Sequence, residues 1–154
     1  MTIREDLAAV LMEGRDMTIA TLLESGGPHA VTVSYASDGH VVFFGCSAES
    51  QKAKNIARDP RVAVTISLPY ADWSQIRGLS AIGRARRLDG GEAERAGMLF
   101  LRKFPQLAAF VQVDAAQSEM ALFEITLENV GVLDYRKGFG HVEHVWLIGE
   151  PEAA

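Results

Sequence analysis

Cysteine is almost absent from this chain of 154 residues: Cys46 stands alone, so no disulfide forms within the chain and the scaffold of a small secreted domain is excluded. Long apolar runs are missing too, and none approaches the roughly 18 residues that a membrane-spanning helix needs. Basic residues are outnumbered, 15 Lys and Arg against 20 Asp and Glu, for a net charge of −5. Such a balance gives no general attraction to nucleic acid or anionic lipid. The start, MTIREDLAAVL, lacks the cationic segment and long apolar stretch of a secretory leader, so the expected location is cytoplasmic, in a reducing compartment. Also absent are a phosphate-cradling GxxxxGK loop and any nucleophile with a recognisable oriented base. What is present is the balance of a folded protein, 48% hydrophobic and 23% charged, at a length that suits one domain over residues 1–154.

Thr2 and Glu5 form a capping box, because a hydroxyl and a carboxylate three positions apart can each accept the other's orphan amide. Ile3, Leu7, Val10 and Leu11 follow at helical spacing, which predicts a helix over about 2–13. Met17–Leu23 and His29–Tyr35 alternate around the turn residues Ser25–Pro28 and read as a hairpin. Asp38-Gly39 marks a second turn before a strand over His40–Cys46, in which Cys46 is a small buried hydrophobe. Ser47 or Ser50 caps a helix to about Arg58 whose inward face carries Ala53, Ile56 and Ala57, and Asp59-Pro60 stops it. Strands are predicted over Val62–Leu68 and Gln75–Leu88, with Trp73 in the loop between them. A helical stretch from Asp89 carries Ala93, Ala96, Leu99, Phe100 and Phe104, and a shorter one beyond Pro105 carries Leu107, Ala108 and Phe110. A sixth strand begins near Ser118, with Ala121, Phe123, Ile125 and Leu127 on one face, and continues past a bend to Tyr135.

Strands in hairpin succession with few interposed helices favour an antiparallel sheet, and closing that sheet removes its edges. The fold class is therefore mainly β: a barrel of about six antiparallel strands with flanking helices, a core over about 15–135 and a tail over 136–154.

Three blocks in this order, MTIATLLESGGPHAVTVSY, HVVFFGCSAESQKAKNIARDPRVAVTI and RGLSAIGRARRL, resemble the pyridoxamine 5′-phosphate oxidase-like superfamily of FMN-binding split barrels. The resemblance covers about residues 15–135 and is carried most strongly by the SxKxxNIxRDPRV helix. It implies FMN held at the interface of a homodimer. It places Ser50, Gln51 and Lys52 at the flavin phosphate, where a helix start offers free amides, a favourable dipole and a cation. The same residues also read as a capped surface helix with solvated lysines at 52 and 54. The resemblance further implies that the second strand, through His29, Val31, Thr32, Val33 and Ser34, flanks the ring and ribityl chain together with Phe44 and Gly45. It puts Arg77 and Gly78 at the pyrimidine edge and Trp73 over the cofactor from the second subunit.

The chain departs from the true oxidases of the superfamily. Their second strand carries basic residues where this one has His29 and Ser34, and their arginine-containing C-terminal substrate motif is replaced by DYRKGFGHVEHVWLIGEPEAA. Oxidation of vitamin B6 is therefore not expected. Arg84, Arg86 and Arg87 cluster on a strand whose charges read as a solvated face. The GFGH segment, with His141 and His144, resembles haem-utilisation members of the superfamily, although two histidines three apart are an incomplete metal set. Three functions follow: an FMN-dependent oxidoreductase acting on a small molecule, a non-catalytic flavin or haem carrier, and a reductase using the deazaflavin F420.

Overall fold

The computed structural model describes residues 2–109 and 120–148. Its first element is α1 (Ile3–Glu13), and the capping box forms as the spacing requires: the Glu5 amide donates to Thr2 Oγ1 at 3.2 Å and the Thr2 amide to Glu5 Oε2 at 2.8 Å. Leu7, Val10 and Leu11 are buried against the sheet. Strands β1 (Asp16–Leu22) and β2 (Pro28–Ser34) then make the first hairpin, in the register Thr18 to Thr32. β3 (Ala36–Asp38) and β4 (Val41–Ser47) make the second around Gly39, whose φ of 60° suits a residue without a Cβ.

Helix α2 (Gln51–Arg58) leads into β5 (Arg61–Ser67), and a turn containing Trp73 leads into β6 (Arg77–Leu88). Helix α3 (Gly90–Lys103) follows, then β7 (Met120–Asp134) and β8 (Val142–Trp146). The predicted start near Ser118, and Phe110 beyond Pro105, lie outside the described residues.

All eight strands form one antiparallel sheet in the order β2-β1-β5-β6-β7-β4-β3, with β8 also on β7. That is two more than the pattern predicts. β3 is only three residues long and hides inside a turn signal, while β8 lies in the expected tail and alternates between exposed and half-buried positions before Val145. Both pair along the free edge of β7 or of its neighbour β4. β4 takes β7 from Met120 to Thr126 and β8 takes it from Asn129 to Leu133. The predicted bend falls between them, at Glu128, opposite the register shift between Ile82 and Gly83. The Glu128 carbonyl accepts from the Leu147 amide at 2.7 Å, so the bulge has a partner.

The sheet curls so that Met17, Ile19, Tyr35, Phe44, Phe123, Ile125 and Leu127 fill its interior. Phe44 and Phe123 stack at 5.1 Å between centroids, with 12° between their planes. β2 ends the sheet on one side, and β4 beyond Phe43 has β7 on one edge and no strand on the other among the described residues. β2 comes close to β4 without joining it in a ladder. This is a barrel with a split, and α2 begins four residues beyond the open end of β4.

Candidate functional site

The start of α2 sits beside the split. Ser50 is its N-cap: its Oγ accepts from the Ala53 amide at 3.3 Å and donates to Cys46 Sγ at 3.4 Å. The first turn holds no acidic residue, and the amides of Gln51 and Lys52 precede the first intrahelical bond, so the dipole and the free donors both favour an anion here. Lys52 is half-buried and makes no ion pair among the described residues.

Beneath this turn lies a polar network to which the sequence reading assigns no role, although Asn55 and Arg58 stand in the SxKxxNIxRDPRV motif. Asn55 is fully buried; its Nδ2 donates to Thr21 Oγ1 on β1 at 3.0 Å, and its Oδ1 accepts from Gln51 Nε2 at 2.8 Å and from Arg58 at 3.2 Å. Arg58 also donates to the Leu22 carbonyl at 2.6 Å. The inward face of α2 is thus Ala53, Asn55 and Ile56, and Ala57, expected to be inward, is exposed. His29 is the register partner of Thr21, and its Nδ1 is buried with no hydrogen-bond partner among the described residues. A buried donor or acceptor left alone is costly, so an orphan ring nitrogen at a polar, open-edged corner is where a ligand atom fits.

Alternation on β2 separates the remaining candidates. His29, Val31 and Val33 are half-buried on the inner side, whereas Thr32 and Ser34 are exposed on the outer one, and Ser34 Oγ donates to Asp16 at 2.9 Å. Phe44 belongs to the core by its ring, which leaves only its main chain facing the split, next to Gly45.

Trp73, Arg77 and Gly78 lie elsewhere. Gly45 pairs with Leu122 and Arg77 pairs with Asp134, so the two groups stand twelve positions apart along β7. At about 3.3 Å per residue that is roughly 40 Å of strand. Arg77 is held by Glu13 at 2.9 Å. Gly78 is required by packing, because a Cβ there would collide with the Ile66 carbonyl oxygen. Trp73, 66% exposed, stacks on Phe139, 77% exposed, at 6.2 Å, and Tyr135 meets the same ring edge-on at 5.3 Å. The two glycines of the GFG turn have φ of 146° and 80°, which holds Phe139 outward.

The tail histidines diverge in role. His141 Nε2 lies 2.6 Å from Glu143, whose carboxyl is held below its usual range by that contact and by Lys137. Lys137 also reaches buried Asp6 at 2.7 Å, a bond that raises its amine above the ordinary lysine range. His144 lies across Gly131 on the exposed side of β8. Among the described residues no three His, Cys, Asp or Glu side chains converge as a metal-ligand set.

On the outer face of the sheet, Ala30, Ala20, Ala63 and Ile82 align across four strands, and Ile82 is 51% exposed. Ala20, Ala63 and Ile82 floor a broad depression of about 510 Å³ rimmed by Arg61, Arg84 and Glu128. Arg84 and Arg86 are exposed and pair with Glu128 and with Glu92 and Glu124, as a solvated face does.

The sequence profile of the pyridoxamine 5′-phosphate oxidase family matches residues 3–134. The chain belongs to that family. It is 30% identical over 115 residues to a UPF0306 protein of Citrobacter koseri, covering 73% of each chain. Among solved structures, a haem-binding protein from Mycobacterium smegmatis superposes with a TM-score of 0.80 at 22% identity over 95% of this chain. The present chain spans 58% of that protein's length. The conserved hypothetical protein Rv2991 from Mycobacterium tuberculosis superposes with a TM-score of 0.76 at 26% identity, covering 99% of this chain and 95% of its own. Family membership fixes the split-barrel fold and leaves the substrate open, since one fold carries many sites. Among the described residues no helix is long and apolar enough to cross a membrane.

Proposed function

We propose that this member of the family binds FMN at the split of its barrel and serves as a flavin-dependent oxidoreductase for a small molecule, as a homodimer. The observation that carries the reading is the corner beside α2. An anion-ready helix start carrying Lys52, which has no ion pair among the described residues, and the orphan Nδ1 of His29 both adjoin a buried Thr21–Asn55 pair, the first through Gln51 and the second through the register with Thr21. These features suit a phosphate joined to a polar chain and a flat ring.

In this reading the Gln51 and Lys52 amides and the Lys52 ammonium hold the phosphate, and Ser50 fixes the helix start that presents them. The ring and ribityl chain run along the open edge, against the main chain of Phe44 and Gly45 and the strand carrying His29, Val31 and Val33. Bound FMN would supply the redox chemistry, accepting and returning electron pairs, and no side chain need be a proton-transfer catalyst. The protein binds, orients and excludes water.

Trp73, Arg77 and Gly78 lie away from the corner, with Arg77 six positions along β6 from Gly83 on the Val62 row and twelve along β7 from the partner of Gly45. In this reading a site that uses both groups therefore draws them from two chains. The outer face suits that association, because its aligned small side chains and exposed Ile82 form a flat, uncharged centre that brings Thr32 and Ser34 to the contact. A second reading, a haem carrier, is favoured by the similarity to the mycobacterial haem-binding protein and by the exposed His144. The visible spectrum of the purified protein, before and after titration with FMN, haem and F420, separates these readings. Flavin bands and saturable FMN binding to a dimer are expected; a Soret band with no FMN binding, or a species of 16.7 kDa at saturating FMN, overturns the proposal.

A further inference from the structure

The end of α3 holds an amine that the proposed flavin site does not use. Lys103 Nζ is buried without a hydrogen-bond partner among the described residues. It lies 3.8 Å from the centroid of the Tyr35 ring and 5.6 Å from that of Phe104. Arg15 covers the same Phe104 ring at 4.9 Å. The charged groups that act on the amine are Arg15 and, more weakly and in the opposite sense, Asp16, whose carboxylate is engaged by Ser34. Tyr35, the remaining titratable neighbour, is fully buried and donates to the Leu11 carbonyl at 2.8 Å, so its hydroxyl is not a partner for the lysine.

An ammonium normally recruits three acceptors. This one has no acceptor among the described residues; its burial and a second cation nearby favour the neutral, nucleophilic amine and outweigh the pull of the two aromatic faces on the charge. Burial and the nearby guanidinium lower it from the ordinary lysine value to about 8. Only a small electrophile reaches a buried nitrogen, and a product carrying negative charge would gain Arg15 as a partner.

We propose that Lys103 is a carbon dioxide site, where the amine forms a carbamate paired with Arg15. The nitrogen lone pair attacks the carbon of CO2, an N–C bond forms as one C=O π bond opens onto oxygen, and the proton displaced from nitrogen leaves to water or bicarbonate. No oxidant or second substrate is needed. The carbamate replaces an unpartnered amine by an anion whose oxygens accept from the guanidinium.

The chain has four lysines, 52, 54, 103 and 137, so the comparison is internal. Protein equilibrated with isotopically labelled bicarbonate at about pH 8, where a lysine of this kind is half neutral, is trapped with triethyloxonium and its peptides are weighed. Lys103 is expected to carry the labelled carboxyl at several-fold higher occupancy than Lys52, Lys54 and Lys137. Arg15→Gln, checked for folding by circular dichroism, is expected to lower that occupancy several-fold. Labelling of wild-type Lys103 no greater than that of the other three lysines overturns the proposal, and so does undiminished labelling in the folded variant. The trapping does not depend on flavin binding, so it stands or falls separately from the cofactor reading.

Discussion

Asn55 on α2 and Thr21 on β1 share a 3.0 Å hydrogen bond with almost no solvent on either side, and through it the helix beside the split is tied to the barrel wall. Replacing Asn55 with Leu keeps the volume but strands Thr21 Oγ1 and Gln51 and takes an acceptor from Arg58. A loss of about 1–3 kcal/mol is expected from denaturant unfolding. Pairing it with Thr21→Val should recover part of that loss, since two apolar groups leave no orphan. An equal or greater loss in the double variant would show that the bond does not carry the tie.

Much of this architecture is legible in the sequence, and the reasons are local. The capping box of α1, the two hairpin turns, the helix stop at Asp59-Pro60 and the bend in β7 all follow from residues within a few positions of one another. What escapes is what depends on the other side of the sheet. Asn55 is left out of the inward face predicted for α2, because only the fold sets Thr21 of β1, itself an inward position between apolar neighbours, against it. β8 reads as a tail because its burial comes from distant partners, β7 beside it and α1 against it. The separation of Trp73 and Arg77 from the α2 corner follows from the β7 register, which no short motif encodes. Lys103 ends an amphipathic helix where lysines are usual, and only the fold sets Tyr35 beneath it.

Phe44 tests the division between ring and main chain. Phe44→Ala should cost about 3–5 kcal/mol in stability, through the cavity left against Phe123. Phe44→Leu should cost far less and leave flavin affinity unchanged, because the ring faces the core. A folded Phe44→Leu protein with greatly weakened flavin binding would show that the ring itself meets the cofactor.

Lys103 should also mark the pH dependence of folding. Its folded value of about 8 lies below the ordinary 10.5, so between these limits the unfolded chain binds the extra proton and stability rises with pH. Below about 8 the full cost of burying the ammonium is present. The whole shift would convert to about 3 kcal/mol, and solvent screening together with the aromatic faces reduces this to about 1 kcal/mol. Lys103→Met should therefore be more stable than the parent at neutral pH by about 1 kcal/mol and lose the rise above pH 8. Urea midpoints measured across that range check both; a variant that is less stable and keeps the slope contradicts the assignment.

Lys52 decides the phosphate reading. If it holds the FMN phosphate beside the free amides of α2, Lys52→Ala removes a charge-assisted contact of about 1.5–3 kcal/mol, a roughly 10- to 150-fold loss of FMN affinity. Riboflavin has the same ring and ribityl chain but no phosphate, so its affinity should hardly move. Fluorescence titration of both ligands against both proteins isolates the term, and adding salt should weaken FMN binding more in the parent than in the variant. Unchanged FMN affinity would make Lys52 a solvated surface lysine. Equal losses for FMN and riboflavin would mean that the substitution had disturbed the ring site instead, and either result removes the phosphate from the start of α2.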